Sequence, residues 1–588
     1  FFVISGYLIT SIILKELITT GSFSFKHFYE RRIRRILPAL LVVILLSLPF
    51  AWLYLLPSGL IDYSKSILYS LGFSSNFYFH YSGQQYAAES GLLKPFLHTW
   101  SLSIEEQYYI LFPIVLLVTF KYFKKYLIHI LILGFITSLG LADWGSRNHA
   151  SFSFYVLPTR GWELLAGSIL GYSEIKMGHR SKNQLLNLIL PAIGLLLIGH
   201  SVLFFNDEIF HPSFYTLSPI IGVCLIIWFS SKDEIITKIL STKLFVGIGL
   251  ISYSLYLWHY PIFAFGRAMG LIDKYFYIKY FLIIIIILIS ILSYFLVEKK
   301  TRDKNFKFSK ILSIIVILYF FLSIIFTSSI LNNGFKTRFS DFLNKIDTEK
   351  DIVYLLKNEK KQHCLDYFYC SSNNNSEKKV FILGDSTMAA ISFDLNKKLI
   401  NRDYKFIPLT IGGCYFFKDF NQTYIKNKDL VSRCNLNAIT KRYELIEKSP
   451  NSIIIIGGSL PYHLLGGVKY KEFLDGNKIK IFEYKSKVSN NIKKSFVENI
   501  LDLSKYNNVI LVYPYPEISF SPPKKITDKY FLENKSVKKI LEEQYLYEPY
   551  KNYLEHSKKA FELLNSIKSD NVYRVFPHTL FCNTIMKY

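Results

Sequence analysis

Apolar runs of membrane length dominate the first 330 residues of this chain of 588 residues. Typical runs are Leu40–Leu56, Tyr280–Leu296 and Ile311–Ile325. A helix needs roughly 20 apolar residues to cross a bilayer, and the first part supplies about ten such runs. Residues 331–588 are rich in Lys, Asn, Asp and Glu, and no run there reaches membrane length. The pattern predicts a multi-span α-helical membrane domain followed by a soluble domain.

The predicted spans lie near residues 1–18, 37–56, 104–120, 127–142, 157–172, 185–204, 214–230, 244–265, 277–297 and 309–327. The stretch 66–80 is ambiguous between a short helix and an interfacial helix. The chain opens with Phe1 inside an apolar run, without Met, and ends abruptly at Tyr588. We therefore expect a fragment that lacks both ends, with about ten spans present and the first span missing.

Positive charge alternates along the loops between these spans. Lys and Arg are concentrated in loops 19–36, 121–126, 173–184, 231–243 and 298–308. Among the intervening loops, 143–156 has one basic residue, Arg147, and 205–213 has no Lys or Arg. Basic loops face the cytoplasm. We therefore expect the soluble domain outside the cytoplasmic membrane.

The net charge of +25 does not indicate a nucleic-acid partner. Many basic residues lie in the loops between spans, and the others are lysines scattered through the soluble half. They form no stripe of basic and aromatic residues of the kind that binds nucleic acid.

Five of the six cysteines lie in the soluble half, without CxxC or Cys/His metal spacing. Their number fits disulfides in an oxidising compartment, and we expect no metal. Proximity makes Cys364–Cys370 and Cys414–Cys434 plausible pairs and leaves Cys582 over, but the connectivity stays open.

A dense basic cluster precedes the second span: Arg31, Arg32, Arg34 and Arg35. Four guanidiniums at a span entrance form an anion site suited to phosphates. The alternative is a topology signal or a site for lipid headgroups.

Other ionisable groups lie in or beside spans, where they are costly and often functional. The string His98–Tyr109 contains Glu105, and further candidates are Arg160, Glu163, His259 and Glu298. Alternatively, the string is an interfacial aromatic belt with a charged helix cap, and His259 is a hydrogen-bonded packing residue.

The soluble half contains a buried strand, a tight turn and a helix start at Val380–Met388. Further strands at Ser452–Ile456 and Asn508–Tyr513, with helices near 390–400 and 536–546, predict an open parallel α/β sheet. Active groups would line its C-terminal edge. Ser386 in the Gly-Asp-Ser turn is either a nucleophile or an ordinary helix N-cap.

Taken together, the membrane motifs resemble the acyltransferase-3 family of membrane acyltransferases. The strings fall in family order over about residues 1–300: Phe1–Thr10, Arg31–Pro38, His98–Tyr109, Arg160–Gly167, Ser252–Pro261 and Ser293-Tyr294 with Glu298. Lys300 stands where the family has Pro shortly after the Glu. The outer domain resembles the SGNH hydrolase-like module, with a flavodoxin-like parallel sheet, that is fused in O-antigen and other polysaccharide O-acetylases.

The resemblance implies an O-acyltransferase of the bacterial inner membrane. It would move an acyl group, usually acetyl, from cytoplasmic acyl-CoA to hydroxyls of a cell-surface polysaccharide such as lipopolysaccharide O-antigen. The arginine cluster would bind the anionic CoA. We expect a transmembrane domain over 1–330, a linker and the start of the outer domain over 331–375, and a periplasmic SGNH-like domain over 376–588.

The resemblance also assigns roles to single residues. Ser386 would be the nucleophile, with Gly413 and Ser459 as oxyanion-hole candidates, although Ser459 replaces the usual Asn turn. Glu105, His259 and Glu298 are the membrane-domain candidates. The essential membrane His of the family lies in the first span, which we expect to be missing from this sequence, and His259 belongs to another motif. No Asp-x-x-His occurs in 570–588, so we expect a weak or inactive catalyst.

Two other functions stay open. A transporter or flippase with an accessory outer domain is permitted by the spans, although no paired repeats or broken helices are seen. A membrane-anchored esterase would need a single span only. Labelled acetyl-CoA distinguishes them, because only an acyltransferase places the label on glycan.

Overall fold

The computed structural model describes residues 1–83, 91–206, 209–232, 234–349, 356–357, 364–365, 370, 376–414, 420–425, 434, 436–474, 480, 482–486, 492–533, 536–542 and 548–581. The chain forms two compact units. The membrane unit comprises residues 1–351 with 531–534, and the α/β unit comprises residues 352–530 with 535–588.

Within the described residues 1–349, the membrane unit is built from helices joined by turns. The α-helices are α1 Phe2–Thr20, α2 Phe25–Tyr54, α3 Pro57–Leu71, α4 Ser75–Gly83, α5 Thr99–Tyr122, α6 Leu127–Asn148, α7 Ala150–Tyr155, α8 Leu157–Met177, α9 Gln184–Phe204, α10 Leu217–Phe229, α11 Ile235–Leu240, α12 Lys243–Ala268, α13 Leu271–Lys274, α14 Ile278–Ser293, α15 Lys299–Arg302, α16 Phe308–Leu331 and α17 Asp341–Glu349. A π-helical turn, Tyr294–Glu298, joins α14 to α15.

Seven helices in the described residues are long and apolar enough to cross a membrane: Phe2–Thr20, Phe25–Tyr54, Thr99–Tyr122, Lys124–Asn148, Gln184–Phe204, Ile278–Arg302 and Phe308–Leu331. Phe214–Phe229 is apolar but shorter. The two other predicted spans are helices as well, α8 and α12. The ambiguous stretch 66–80 comprises the last residues of α3, a turn and the first residues of α4, which is a short helix of 9 residues.

The predicted loop 19–36 is wrong in its extent. The turn ends at Ser24, whose side chain caps α2 by accepting the N–H of His27. A helix of 30 residues then runs through the arginine cluster into the apolar segment. The four arginines therefore occupy fixed helical positions, and neighbours three or four apart share a face.

Glycines let α1 and α8 approach each other closely. A Cβ added to Gly6 would lie 1.8 Å from the carbonyl oxygen of Leu164, and one added to Gly167 would lie 1.8 Å from that of Val3. Small residues are what allow helix backbones to meet in this way. The contact brings the starts of α1 and α8 together.

The α/β unit contains a five-stranded parallel sheet of order β2-β1-β4-β6-β7. Its strands are β1 Lys379–Leu383, β2 Lys405–Pro408, β4 Ile453–Ile456, β6 Asn508–Val512 and β7 Val572–Val575. A separate antiparallel pair is formed by β3 Phe420–Tyr424 and β5 Phe482–Ser486. The predicted parallel sheet is thus confirmed, although β2 and β7 were not predicted.

Helices follow the strands of this unit. They are α18 Ser386–Ile400, α19 Leu436–Glu447, α20 Leu460–Leu464, α21 Tyr470–Leu474, α22 Ile492–Ser504, α23 Pro522–Glu533, α24 Val537–Glu542, α25 Tyr550–Asn565 and α26 His578–Phe581. Alternate residues of β1 enter two different cores: Phe381 and Leu383 pack in one, Val380 and Ile382 in the other. A sheet buried on both faces accounts for the uninterrupted apolar strands in the sequence.

Both disulfides expected from proximity are present, Cys364–Cys370 and Cys414–Cys434. Cys582 lies outside the described residues. Cys224, in α10, is a free thiol.

Removing the disulfide that closes the longer loop should lower the free energy of unfolding more than removing the disulfide that closes the shorter loop. The paired cysteines are 20 residues apart in Cys414–Cys434 and 6 apart in Cys364–Cys370. Loop-closure entropy then predicts losses of about 3 and about 2 kcal/mol for the two double Cys→Ser variants. The measurement is the urea midpoint for proteolysis of the α/β unit in the full chain. Cys224→Ser is the control, and equal losses for both pairs would contradict the prediction.

Candidate functional site

A cavity of about 560 Å³ lies inside the membrane unit. It follows one side of α5 from Trp100 to Tyr109, and both residues line it. At 1.5 Å per residue these two positions are about 13 Å apart along the helix. Arg32 marks one end, because its guanidinium lies 4.8 Å from the centre of the Tyr109 ring. Arg160 marks the other end, 5.2 Å from the Trp100 ring.

The four clustered arginines have different environments. Arg34 is buried and turned into the protein: its guanidinium donates to Glu30 and to the carbonyl oxygens of residues 301, 303 and 306. Arg31 is exposed and pairs with Glu16 at 3.7 Å. Arg32 and Arg35 line the cavity. The four arginines of α2 thus have three environments. Arg34 binds groups inside the protein, Arg31 forms an ion pair at the surface, and Arg32 and Arg35 line the cavity.

Glu105 lines the cavity between its two ends. Its carboxylate is 3% exposed and accepts hydrogen bonds from the hydroxyls of Ser5 and Tyr109. Ser5 belongs to α1, so this interaction joins α1 to α5. Glu105 is thus a buried carboxylate held in place on the wall of the cavity.

The end of the cavity near Trp100 carries a buried ion pair. Arg160 donates to Glu163 at 2.8 Å and to the carbonyl oxygen of Phe154 at 3.1 Å. Its third contact is with Nε2 of His211 at 3.0 Å. Because a guanidinium only donates, His211 accepts through Nε2 and carries its proton on Nδ1. Sequence reasoning missed His211, which lies in a loop without any motif.

His98 and His259 pack against each other rather than line the cavity. Their ring centroids are 5.4 Å apart. Nδ1 of His259 lies 2.8 Å from the carbonyl oxygen of Tyr256 in its own helix, so it donates there. A catalytic role for His259 remains a prediction that this geometry does not favour.

Glu298, on the π-helical turn, is fully buried. Its carboxylate accepts from the hydroxyl of Ser254 and from the guanidinium of Arg302. These contacts hold α12 against the end of α14, so Glu298 is placed as an interhelical anchor. Its catalytic role stays a prediction.

In the α/β unit, the Gly-Asp-Ser turn joins β1 to α18. Asp385 rather than Ser386 is the N-cap of α18, because its carboxylate accepts the N–H of Thr387 at 2.9 Å. The interpretation of Ser386 as an N-cap is therefore wrong. Ser386 is the first helical residue and is half-buried, and no hydrogen bond to its hydroxyl is found within the described residues. It is presented at the C-terminal edge of the sheet.

The two oxyanion-hole candidates differ. Gly413 adopts a positive φ of 70° in the loop after β2, and Ile411 holds that loop by donating to the carbonyl oxygen of Gly384 at 3.0 Å. The N–H of Ser459 donates instead to Asp385 at 2.9 Å. The amide of Ser459 is thus already used, and only its hydroxyl, 3.0 Å from that of Thr387, could reach a substrate.

Asp385 lies at the centre of this edge. Burial would raise its pKa, but the hydrogen bond and charge of His463, with the amides of Ser459 and Thr387, hold the pKa below its usual value. Nε2 of His463 lies 3.3 Å from the Asp385 carboxylate. Glu517, after β6, has its pKa raised to about 7 by burial and by the charge of Asp385. Sequence reasoning found neither His463 nor Glu517, because no motif marks them.

No group of three or more His, Cys, Asp or Glu residues that could hold a metal occurs among the described residues.

Comparison with known proteins gives two family matches. Residues 1–295 match the family described as "Acyltransferase domain", and residues 356–587 match "SGNH domain (fused to AT3 domains)". A Staphylococcus aureus (strain COL) protein named "Putative O-acetyltransferase" is 32% identical over 433 residues, covering 66% of this chain and 69% of that protein. "O-acetyltransferase OatA" of Staphylococcus aureus (strain NCTC 8325 / PS 47) is 32% identical over 325 residues, 52% of each chain. No solved structure matches the chain.

The membrane unit with its polar cavity, the serine at the edge of a parallel sheet and the two family matches agree with one another. The chain belongs to the acyltransferase-3 family of membrane acyltransferases and carries a fused SGNH domain.

Proposed function

We propose that this acyltransferase moves an acetyl group from acetyl-CoA through the cavity of the membrane unit to a hydroxyl of a cell-surface polysaccharide. The observation that carries the proposal is the cavity itself, which joins two cationic arginines at one end to a buried ion pair at the other. The relatives named as O-acetyltransferases support acetyl as the group and oxygen as the acceptor.

The donor binds at the end formed by Arg32 and Arg35. The phosphates of CoA are anions that guanidiniums bind through paired hydrogen bonds. The uncharged arm that bears the thioester then enters the cavity, whose walls include Ile4, Leu8 and Leu102. Only this arm leaves water, so the charged nucleotide is never desolvated.

The acetyl group then reaches the end formed by Arg160, Glu163 and His211. Arg160 binds both Glu163 and His211, so the three side chains present a fixed polar surface in a region of low dielectric. Fixed dipoles of this kind stabilise developing charge without reorganising.

In the acyl-transfer step, the Ser386 hydroxyl attacks the carbonyl carbon. The new bond joins Oγ to the acyl carbon, the bond from that carbon to the donor breaks, and the serine proton leaves with the donor. A sugar hydroxyl next attacks the serine ester, its proton returns to Oγ, and the acetylated sugar is released. The oxyanion is met by the N-terminus of α18 and by Gly413. The net reaction converts acetyl-CoA and a sugar alcohol to a sugar acetate and CoA.

We also propose a cellular location and an acceptor for this protein. The basic loops favour the arginine end of the cavity in the cytoplasm, and the two disulfides favour an oxidising compartment for the α/β unit. A multi-pass protein of the bacterial inner membrane with a periplasmic α/β unit fits both. Lipopolysaccharide O-antigen is the acceptor that we expect in such a membrane.

Replacing the cavity-lining arginines should weaken donor binding. We expect Arg32→Gln and Arg35→Gln each to raise the KM for acetyl-CoA about 10–100-fold, the effect of one charge-assisted hydrogen bond. The measurement is the rate of glycan acetylation in membrane vesicles against acetyl-CoA concentration. Arg31→Gln is the matched control on the same helix and should change KM less than about threefold. Equal effects of all three variants would contradict a cavity-specific donor site.

Replacing the nucleophile should stop the transfer to sugar. In the full chain, Ser386→Ala should lower acetylation of glycan at least about 1,000-fold, because no serine ester forms. Ser392→Ala is the control, since Ser392 is a buried serine of the same helix that donates to the carbonyl oxygen of Met388. Incorporation of labelled acetyl into glycan is measured. Full incorporation by Ser386→Ala would contradict the serine step, whereas movement of glycan without label would support a transporter.

A further inference from the structure

The Asp385 carboxylate connects two turns at the edge of the sheet. One oxygen accepts the N–H of Thr387, in α18, and the other accepts the N–H of Ser459, which follows β4. Asp385 is 3% exposed, so these hydrogen bonds replace water. Gly458, with φ 126°, leaves room for this contact, because a Cβ there would lie 2.8 Å from the carboxylate oxygen.

His463 supplies a third contact to the same carboxylate. It lies on α20, and its Nε2 is 3.3 Å from the oxygen that also accepts from Ser459. The His463 side chain is completely buried. An ionised carboxylate only accepts hydrogen bonds, so Nε2 must be the nitrogen that carries the proton.

The position of Ser386 depends on this carboxylate. Asp385 precedes the serine directly and caps its helix, so a rotation of the Asp385 side chain changes the first turn of α18. A buried carboxylate with too few donors either takes up a proton or turns toward water. Either change would move the serine hydroxyl and the amides that face the oxyanion.

We propose that His463 is a positioning residue for Ser386, which holds the Asp385 carboxylate between the amides of Thr387 and Ser459. This inference rests on the proposed role of Ser386 as nucleophile. His463 does not touch the substrate and acts only through Asp385. It does not take the proton of Ser386, which leaves with the donor.

The proposal has a pH signature. In the native protein the pKa of Asp385 lies below its usual value, so the carboxylate stays ionised above that pKa and loses its role only in strong acid. Burial raises the pKa of Asp385, and His463 counteracts this effect. Without His463, the pKa of Asp385 therefore rises. The acid side of the activity profile then moves to higher pH. Glu517 and Tyr515 also interact with Asp385, and burial with the charge of Asp385 raises the pKa of both.

The test compares two variants that differ only in reach. The amide nitrogen of Gln can occupy the position of Nε2, whereas that of Asn is too short. His463→Asn should lower kcat for glycan acetylation about 10–100-fold, as expected for one hydrogen bond to a charged group, with KM for acetyl-CoA unchanged. The acid limb of its activity profile should shift to higher pH, because the pKa of Asp385 rises when the contact with His463 is lost. His463→Gln should keep kcat within about threefold, and its acid limb should lie closer to the native position than that of His463→Asn, because Gln keeps the hydrogen bond to Asp385 but not the charge.

The control is His556→Asn in the full chain. His556 is a buried histidine of the same unit whose ring packs against Tyr470 and Phe473. This variant should lower thermal stability without moving the acid limb. The positioning role is overturned if His463→Asn keeps the native kcat and pH profile, or if His463→Gln is as impaired as His463→Asn. In that case an inactive Ser386→Ala variant still supports the proposed function. An active Ser386→Ala overturns both.

Discussion

Ionised side chains are stable inside a bilayer only when other protein groups replace their water, and this constraint determines how the helices of the membrane unit are joined. Glu105 takes hydrogen bonds from α1 and α5, Arg160 pairs with Glu163 and contacts His211, and Glu298 binds Ser254 and Arg302. The first two of these contacts lie along the wall of the cavity and the third anchors its surrounding helices. The groups that join the helices therefore also make the cavity polar, and we propose that this cavity admits the thioester arm of the donor while the charged nucleotide stays in water.

The α/β unit obeys the same constraint at the edge of its sheet. Asp385 is as deeply buried as Glu105, and amides from two turns and a histidine surround its carboxylate. Its pKa falls below the usual value for that reason. The arrangement makes one carboxylate responsible for the start of α18, and hence for the orientation of the serine that begins this helix.

The sequence predicts those features that depend on local pattern. Apolar runs identified the long helices of the membrane unit, proximity made both disulfides plausible, and the Gly-Asp-Ser turn placed Ser386 at the end of β1. Contacts between distant residues could not be predicted. Arg34 looks like its neighbours in the sequence but is turned inward by carbonyl groups more than 260 residues away. His211 and His463 lie outside every motif and gain importance only where the fold brings them to Arg160 and Asp385.

The proposed transfer has one direction: the acetyl group enters the cavity from the side of Arg32 and Arg35. Its most direct test uses sealed vesicles of one orientation that contain the protein but no acceptor glycan, with labelled acetyl-CoA supplied on one side at a time. Mass spectrometry then measures the acetyl ester on the peptide that contains Ser386. We predict that the ester forms only when acetyl-CoA is present on the side of Arg32 and Arg35. Ester formation from acetyl-CoA supplied on the opposite side of the membrane would contradict transfer through the cavity.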